Sequence, residues 1–356
     1  MPKTLVTIIL QTTSHCNLHC SYCYCQTNLT TASKLSFSTF KDCILKVDSF
    51  FDNDSELCFL FHGGEPLLLG KNFFDEAFRF LKQHMKHKYY TGIQTNLILL
   101  DGEFIELFRQ NDCSISTSLD GYPDLNDLHR KYYNGRGTYD DVMRSLMLLR
   151  EKKVRYGIVS VITRNSVKNP THFYHFMKEH PKVLFGLSPM FLKQDESIVA
   201  PNPEDLGDFL VTLFDLWVAD QAPPRISFFE EIVGNFLENN RGTVCTFHHD
   251  CTETFIAIDS EGNVYPCCHF VGTKPLCYGN LLRSSFHDVY NSDSRLHLSK
   301  RAIRSNNSCQ TCEFFKMCFS GCMATSENSI LSKDYFCNAY KMIFLHVKNH
   351  LLDELL

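Results

Sequence analysis

No apolar run in the chain approaches the length needed to cross a bilayer, and the sequence carries neither an internal repeat nor a low-complexity tract. Membrane-spanning helices and repeat architectures are thereby excluded. A surplus of one charge is missing too. The 35 basic residues against 40 acidic ones leave a net charge of −5, which offers no electrostatic footprint for nucleic acid. The stretch Leu5 to Leu10 follows a single lysine, but it is too short for a secretory signal and lacks a small-residue cleavage site. It reads as a buried strand. Seventeen cysteines without such a signal point to a reducing cytosol and to metal ligation in place of disulfides. The expected location is cytoplasmic. The remaining composition, 44% hydrophobic and 21% charged over 356 residues, suits an ordinary globular protein of one large domain or a large and a small one.

The cysteines are not scattered. Cys16, Cys20 and Cys23 form a C-x3-C-x2-C triad with Tyr22 just before the third sulfur. Three thiolates this close can hold three irons of a [4Fe–4S] cube and leave the fourth iron open to bind and reduce a small molecule. A zinc knuckle completed by His15 or His19, or a disulfide loop, is what the same spacing would otherwise allow.

Strand-like and helical patterns alternate after the triad. Apolar runs at Leu5–Thr12, Leu57–Phe61, Tyr90–Thr95, Ser114–Leu119, Tyr156–Ile162 and Val183–Leu187 are separated by amphipathic stretches such as Ser36–Phe51, with Ser36 as N-cap, and Tyr139–Lys152. Six such repeats predict an α/β fold with a parallel sheet and right-handed crossovers. In such sheets the chemistry gathers where strands end. There stand the cysteine loop, Gly63-Gly64-Glu65-Pro66, Gln94-Thr95-Asn96 and Ser118-Leu119-Asp120-Gly121. From Cys245 to Cys337 the chain turns cysteine-dense and turn-rich, the mark of a small region that leans on metals to fold.

The triad and the Gly-Gly-Glu-Pro tetrapeptide resemble those of the radical S-adenosylmethionine (radical SAM) enzymes. That resemblance implies a partial (β/α)6 TIM-like barrel in residues 1–235, with a C-terminal cysteine-rich SPASM domain and a last helix in residues 236–356. It implies that SAM is bound by Tyr22, Gly63, Gly64, Glu65, Gln94, Asn96, Ser118 and Arg130, and is cleaved to a 5′-deoxyadenosyl radical. The spacing Cys309-x2-Cys312-x5-Cys318-x3-Cys322, then Cys337, with Cys245, Cys251 and Cys267 upstream, resembles the SPASM pattern. By that resemblance Cys245, Cys251, Cys267 and Cys322 hold one auxiliary [4Fe–4S] cluster and Cys309, Cys312, Cys318 and Cys337 a second, so three clusters in all. A low-potential donor such as flavodoxin or ferredoxin would feed them. Two zinc sites in a non-catalytic interaction protein are the alternative of another class.

Across its length the chain is similar to the anaerobic sulfatase-maturating enzymes, which oxidise a cysteine or serine to formylglycine. It departs from them at one position. Where they carry an aspartate base after the cysteine of the Val264-Tyr265-Pro266-Cys267 segment, this chain has Cys268, then His269. A thiol is a weaker acid than a carboxyl by several units. His62, and the segment Asn126 to Arg130 followed by Gly135-Arg136-Gly137, resemble instead the maturases of ribosomally made peptides that form cyclophane-type crosslinks. The sequence reading therefore leans to crosslinking of a peptide, with Cys268 at the base position and formylglycine formation as the alternative. Of the six cysteines left unassigned, Cys25, Cys43, Cys58, Cys113, Cys268 and Cys277, most are expected to be small buried hydrophobes, with Cys268 the exception.

Overall fold

The computed structural model describes residues 5–25, 33–52, 54–190, 199–237, 244–299, 301, 307–326 and 329–353. In chain order its strands are β1 (Leu5–Thr13), β2 (Glu56–Gly63), β3 (Tyr89–Thr95), β4 (Cys113–Ser118), β5 (Tyr156–Ile162), β6 (Leu184–Pro189), β7 (Arg225–Ile226), β8 (Phe255–Ile258), β9 (Asn263–Tyr265) and β10 (Gly279–Asn280). The chain divides into two compact units. The first comprises residues 1–117, 130–156 and 250–300, and the second residues 118–129, 157–249 and 301–356. No helix among the described residues is long and apolar enough to cross a membrane.

In the first unit the strand order is β10-β9-β8-β1-β2-β3-β4. Strands β8, β1, β2, β3 and β4 run parallel, and β9 and β10 add on antiparallel. The fold is mixed α/β with a parallel sheet that does not close, as expected for a partial barrel. Side chains alternate across each strand. Leu57, Phe59 and Phe61 of β2 are fully buried, and Phe61 meets Phe40 of the helix Phe37–Asp48 and Phe74 and Phe78 of the helix Lys71–His84. Ser36 caps the former helix by accepting the Thr39 N–H, as its sequence position predicts. On the other face a polar row remains. Gln11 pairs with His62 and Gln94 with Ser116, all at or near the carboxyl ends of their strands.

In the second unit β5, β6 and β7 run parallel. The helix Pro203–Ala219 buries Leu206, Leu210, Leu213 and Phe214 and lies against the helix Cys337–Asp353, which buries Ala339, Ile343, Phe344 and Val347. Gly207 permits that crossing, because a Cβ there would collide with Met342.

Candidate active site

The triad occupies the loop after β1 and is stitched to the turn after β2. Gly64 donates to the Thr13 carbonyl at 2.7 Å, and the Glu65 N–H donates to the His15 carbonyl at 2.8 Å. Gly63 sits at φ +129°, a conformation L side chains avoid. A Cβ on Gly64 would run into the His15 carbonyl. The glycines are thus required by the close approach of the two loops, whatever else they bind.

Glu65 is fully buried. Its carboxylate accepts from the Leu67 N–H at 2.9 Å, the Thr95 hydroxyl at 2.7 Å and the Asn96 N–H at 2.8 Å. Burial nevertheless pushes its acidity toward the neutral form, against those three donors and the Arg130 charge. Asn96, so positioned, donates to Asn17 Oδ1 at 2.8 Å and lies 3.6 Å from Cys16 Sγ. The Leu18 N–H also points at Cys16 Sγ, at 3.4 Å. Burial raises the Cys16 thiol to about 12; metal ligation would require it as the thiolate, and the donors around it suit that charge. Beside it Asn17 Nδ2 is buried with no hydrogen-bond partner, as expected of a donor facing a bound group. These residues fit a cluster that also binds SAM.

Arg130 is buried and donates to the Tyr22 hydroxyl at 3.1 Å. The adjoining residues hold the loop from outside. Lys131 accepts the His19 N–H at 2.7 Å, and the His19 and Tyr133 rings stack 5.2 Å apart. Gln94 stands at the end of β3, in register with Ser116, and Ser118 is the last residue of β4.

A contact between residues far apart in sequence defines the other side of this site. The Tyr24 hydroxyl donates to Cys268 Sγ at 3.3 Å, while the Tyr24 ring lies 4.3 Å from His269 and 6.5 Å from His62. His62 is fixed in turn: its Nδ1 accepts the Gly63 N–H at 2.6 Å. The Cys268 thiol is held well below the ordinary thiol range by its hydrogen bond with Cys267, and, against burial, by His269, His62 and Tyr24. Cys25 lies beside Cys23; their hydrogen bond, with burial and the nearby Cys268, pushes its thiol well up, which keeps it protonated and unreactive. Tyr24 and Asn17 were missed in the sequence, although each lies within two residues of a triad cysteine. Cys43 and Cys113 are buried, as expected, whereas Cys58 and Cys277 are only partly so.

In the second unit Cys309, Cys312, Cys318 and Cys337 line one cavity of about 130 Å³. Cys337 opens the helix Cys337–Asp353, and burial raises the Cys318 thiol to about 12. Four thiols around a single cavity fit a fully ligated [4Fe–4S] cluster. In the same unit Cys322 donates its N–H to Asp334 at 2.8 Å, and Cys245 is exposed. Cys251 and Cys267 belong to the first unit, where the buried Tyr278 experiences both.

The radical SAM superfamily model matches residues 10–173, and that of the iron–sulfur cluster-binding domain SPASM matches residues 245–313. The latter sets aside the zinc alternative. The chain is 28% identical over 357 residues to the cysteine-type anaerobic sulfatase-maturating enzyme of Clostridium novyi, covering 96% of this chain and 95% of that protein. It is 25% identical to the serine-type anaerobic sulfatase-maturating enzyme of Bacteroides thetaiotaomicron, covering 97% and 90%. Among solved structures, native anSMEcpe with bound AdoMet and Cp18Cys peptide superposes with a TM-score of 0.87 at 25% identity, covering 98% of each chain. SuiB of Streptococcus suis bound to its precursor peptide SuiA gives 0.65 at 19% identity, covering 94% and 76%, and so shares the fold alone. These similarities favour the sulfatase maturases over the crosslinking enzymes to which the sequence reading leaned.

Proposed function

Since this chain is a radical SAM enzyme with a SPASM iron–sulfur domain, acting on a peptide or protein, we propose that it oxidises a cysteine or serine side chain to formylglycine. The observation that carries this reading is the Tyr24–Cys268 contact, which brings the residue after Cys267 to the flank of the triad loop. Its support from similarity spans nearly the whole chain and includes both the cysteine- and serine-type maturases. When bound, SAM and the [4Fe–4S] clusters supply the radical that takes a hydrogen atom from the substrate carbon and the sink for the second electron.

The chain's own residues do the rest. Cys16, Cys20 and Cys23 hold the first cluster. A carboxylate offers about four acceptor sites, and Glu65 spends three on Thr95, Asn96 and Leu67. The remaining one suits the SAM ammonium, while the Arg130 fork suits its carboxylate. Tyr22, held by Arg130, together with Gln94 and Ser118, lines the SAM site by the same reading. Cys268, with the Tyr24 hydroxyl on its sulfur, takes the proton that leaves as the substrate is oxidised, in the place where the maturases use aspartate. Residues 1–235 form the radical-generating part and 236–356 the auxiliary-cluster part, fed by a flavodoxin or ferredoxin.

Crosslinking is the second reading, favoured by one observation: a thiol stands where the carboxylate would be. The test is anaerobic turnover of sulfatase-type peptides carrying cysteine or serine, with aldehyde trapped by a hydrazide. Aldehyde together with 5′-deoxyadenosine supports maturase chemistry. Formation of 5′-deoxyadenosine without aldehyde on any such peptide overturns it in favour of crosslinking.

A further inference from the structure

We propose that the Ser320 hydroxyl donates a hydrogen bond to the cluster held by Cys309, Cys312, Cys318 and Cys337, and thereby raises its reduction potential. The inference rests on the reading of those four thiols as cluster ligands. It needs no assumption about the substrate.

Three consecutive residues, Phe319, Ser320 and Gly321, have φ of +45°, +76° and +72°. The Phe319 and Gly321 N–H groups are committed to the Phe315 and Cys318 carbonyls at 2.8 and 2.7 Å, which leaves Ser320 as the residue turned toward the sulfurs. Glycine is the default residue there, and at Gly321 it is obligatory, because a Cβ would strike Asp334. Ser320 has no such excuse. A serine in this conformation carries strain that glycine would not, so the side chain must return something for it.

The backbone of Ser320 is pinned from both sides. Its carbonyl accepts from Arg301 at 3.1 Å and from the Asp334 N–H at 3.1 Å. Its own N–H donates to the Cys318 sulfur. Ser320 lines the same cavity as the four cysteines. Yet its hydroxyl is buried and makes no hydrogen bond. Two features that each cost stability, a left-handed serine and an unpaired buried hydroxyl, coincide at the wall of a four-thiol cavity. A sulfur acceptor in the cavity resolves both. Donors to cluster sulfur favour the more negative, reduced state, which is how hydrogen bonds raise such potentials.

The test compares reconstituted full-length wild type with Ser320→Gly and Ser320→Ala by EPR-monitored redox titration, with iron counted in each preparation. Ser320→Gly relieves the backbone strain, so loss of folding is not expected to mask the result. In both variants, at unchanged iron content, one cluster is expected to titrate lower by a threefold to tenfold change in its oxidised-to-reduced ratio. At about 60 mV per tenfold change for one electron, that is about 30 to 60 mV. Unchanged potentials in both variants would show a merely structural serine and overturn the proposal. So would a shift in Ser320→Gly alone, which assigns the effect to strain, since alanine keeps the Cβ and the strain but lacks the hydroxyl. Failure of the underlying cluster reading has a different signature: a Cys16→Ala, Cys20→Ala, Cys23→Ala variant that retains no iron.

Discussion

Replacing Glu65 by glutamine tests whether the first-cluster loop is held by the carboxylate or merely neighbours it. In the wild type one oxygen accepts from Leu67 and Thr95 and the other from the Asn96 N–H, at 2.7 to 2.9 Å. Glutamine keeps one acceptor oxygen and sets an NH2 group against a donor on the other side. A hydrogen bond to a charged group contributes about 1.5–3 kcal/mol, and an unsatisfied buried N–H costs about 1–3 kcal/mol. Against this, the variant escapes the penalty of burying a charge, visible in the upward displacement of the Glu65 pKa. The net expectation is a destabilisation of about 2 kcal/mol, together with displacement of Asn96 from Cys16 and at least tenfold weaker SAM binding. The pH dependence has a definite sign. An acid with a raised folded-state pKa stabilises fully below its ordinary value of 4.5 and loses that contribution as pH rises through the folded value. The advantage of wild type over Glu65→Gln is therefore largest in acid and shrinks toward neutrality. Anaerobic urea unfolding across that range, with calorimetric SAM titration, measures both. If the variant matches wild type in midpoint and SAM affinity, the three hydrogen bonds do not organise the site.

Gly64→Ala should abolish SAM cleavage and lower the iron held by the triad, since its Cβ meets the His15 backbone, whereas Gly135→Ala, in open space at φ +83°, should retain both; equal iron and equal 5′-deoxyadenosine yield in the two variants would refute the close-approach argument. Cys268→Ala should leave 5′-deoxyadenosine formation intact while slowing peptide oxidation by roughly 10²–10⁴, the usual worth of a positioned proton acceptor. Cys268→Asp should recover most of that loss, and product analysis showing no difference among the three proteins would remove Cys268 from the reaction. Anaerobic reconstitution should give about twelve irons per chain, four for each of three clusters; a preparation with four irons and bound zinc, by elemental analysis, would contradict the three-cluster reading.

What the sequence made legible were features with short period or short separation. Leu57, Phe59 and Phe61 alternate at the period of a strand, and the triad spans eight residues. Gly63-Gly64-Glu65-Pro66 could be read because glycine at a strand end has few other uses. The strand Phe255–Ile258, which pairs with β1, could not be read, since four residues carry no periodicity to distinguish strand from helix. The Tyr24–Cys268 contact joins positions 244 apart, and nothing in the spacing of either residue announces it.

Radical generation and substrate chemistry therefore depend on different kinds of contact. The first is built from the loops after β1, β2 and β3, held by backbone groups at Thr13 and His15 and by the Asn96 N–H on the Glu65 carboxylate, and tolerates little change because the first two loops meet backbone against backbone. The second hangs on side chains, Tyr24, His62, Cys268 and His269, that reach one another across the sheet. Side chains can be exchanged without disturbing the backbone that carries them. A chain can consequently keep the whole machinery for making the radical while altering, at a handful of positions, what becomes of the substrate. The substitution of a thiol at position 268 is such an alteration, and its effect is decided by the proton acceptor's strength and not by the fold.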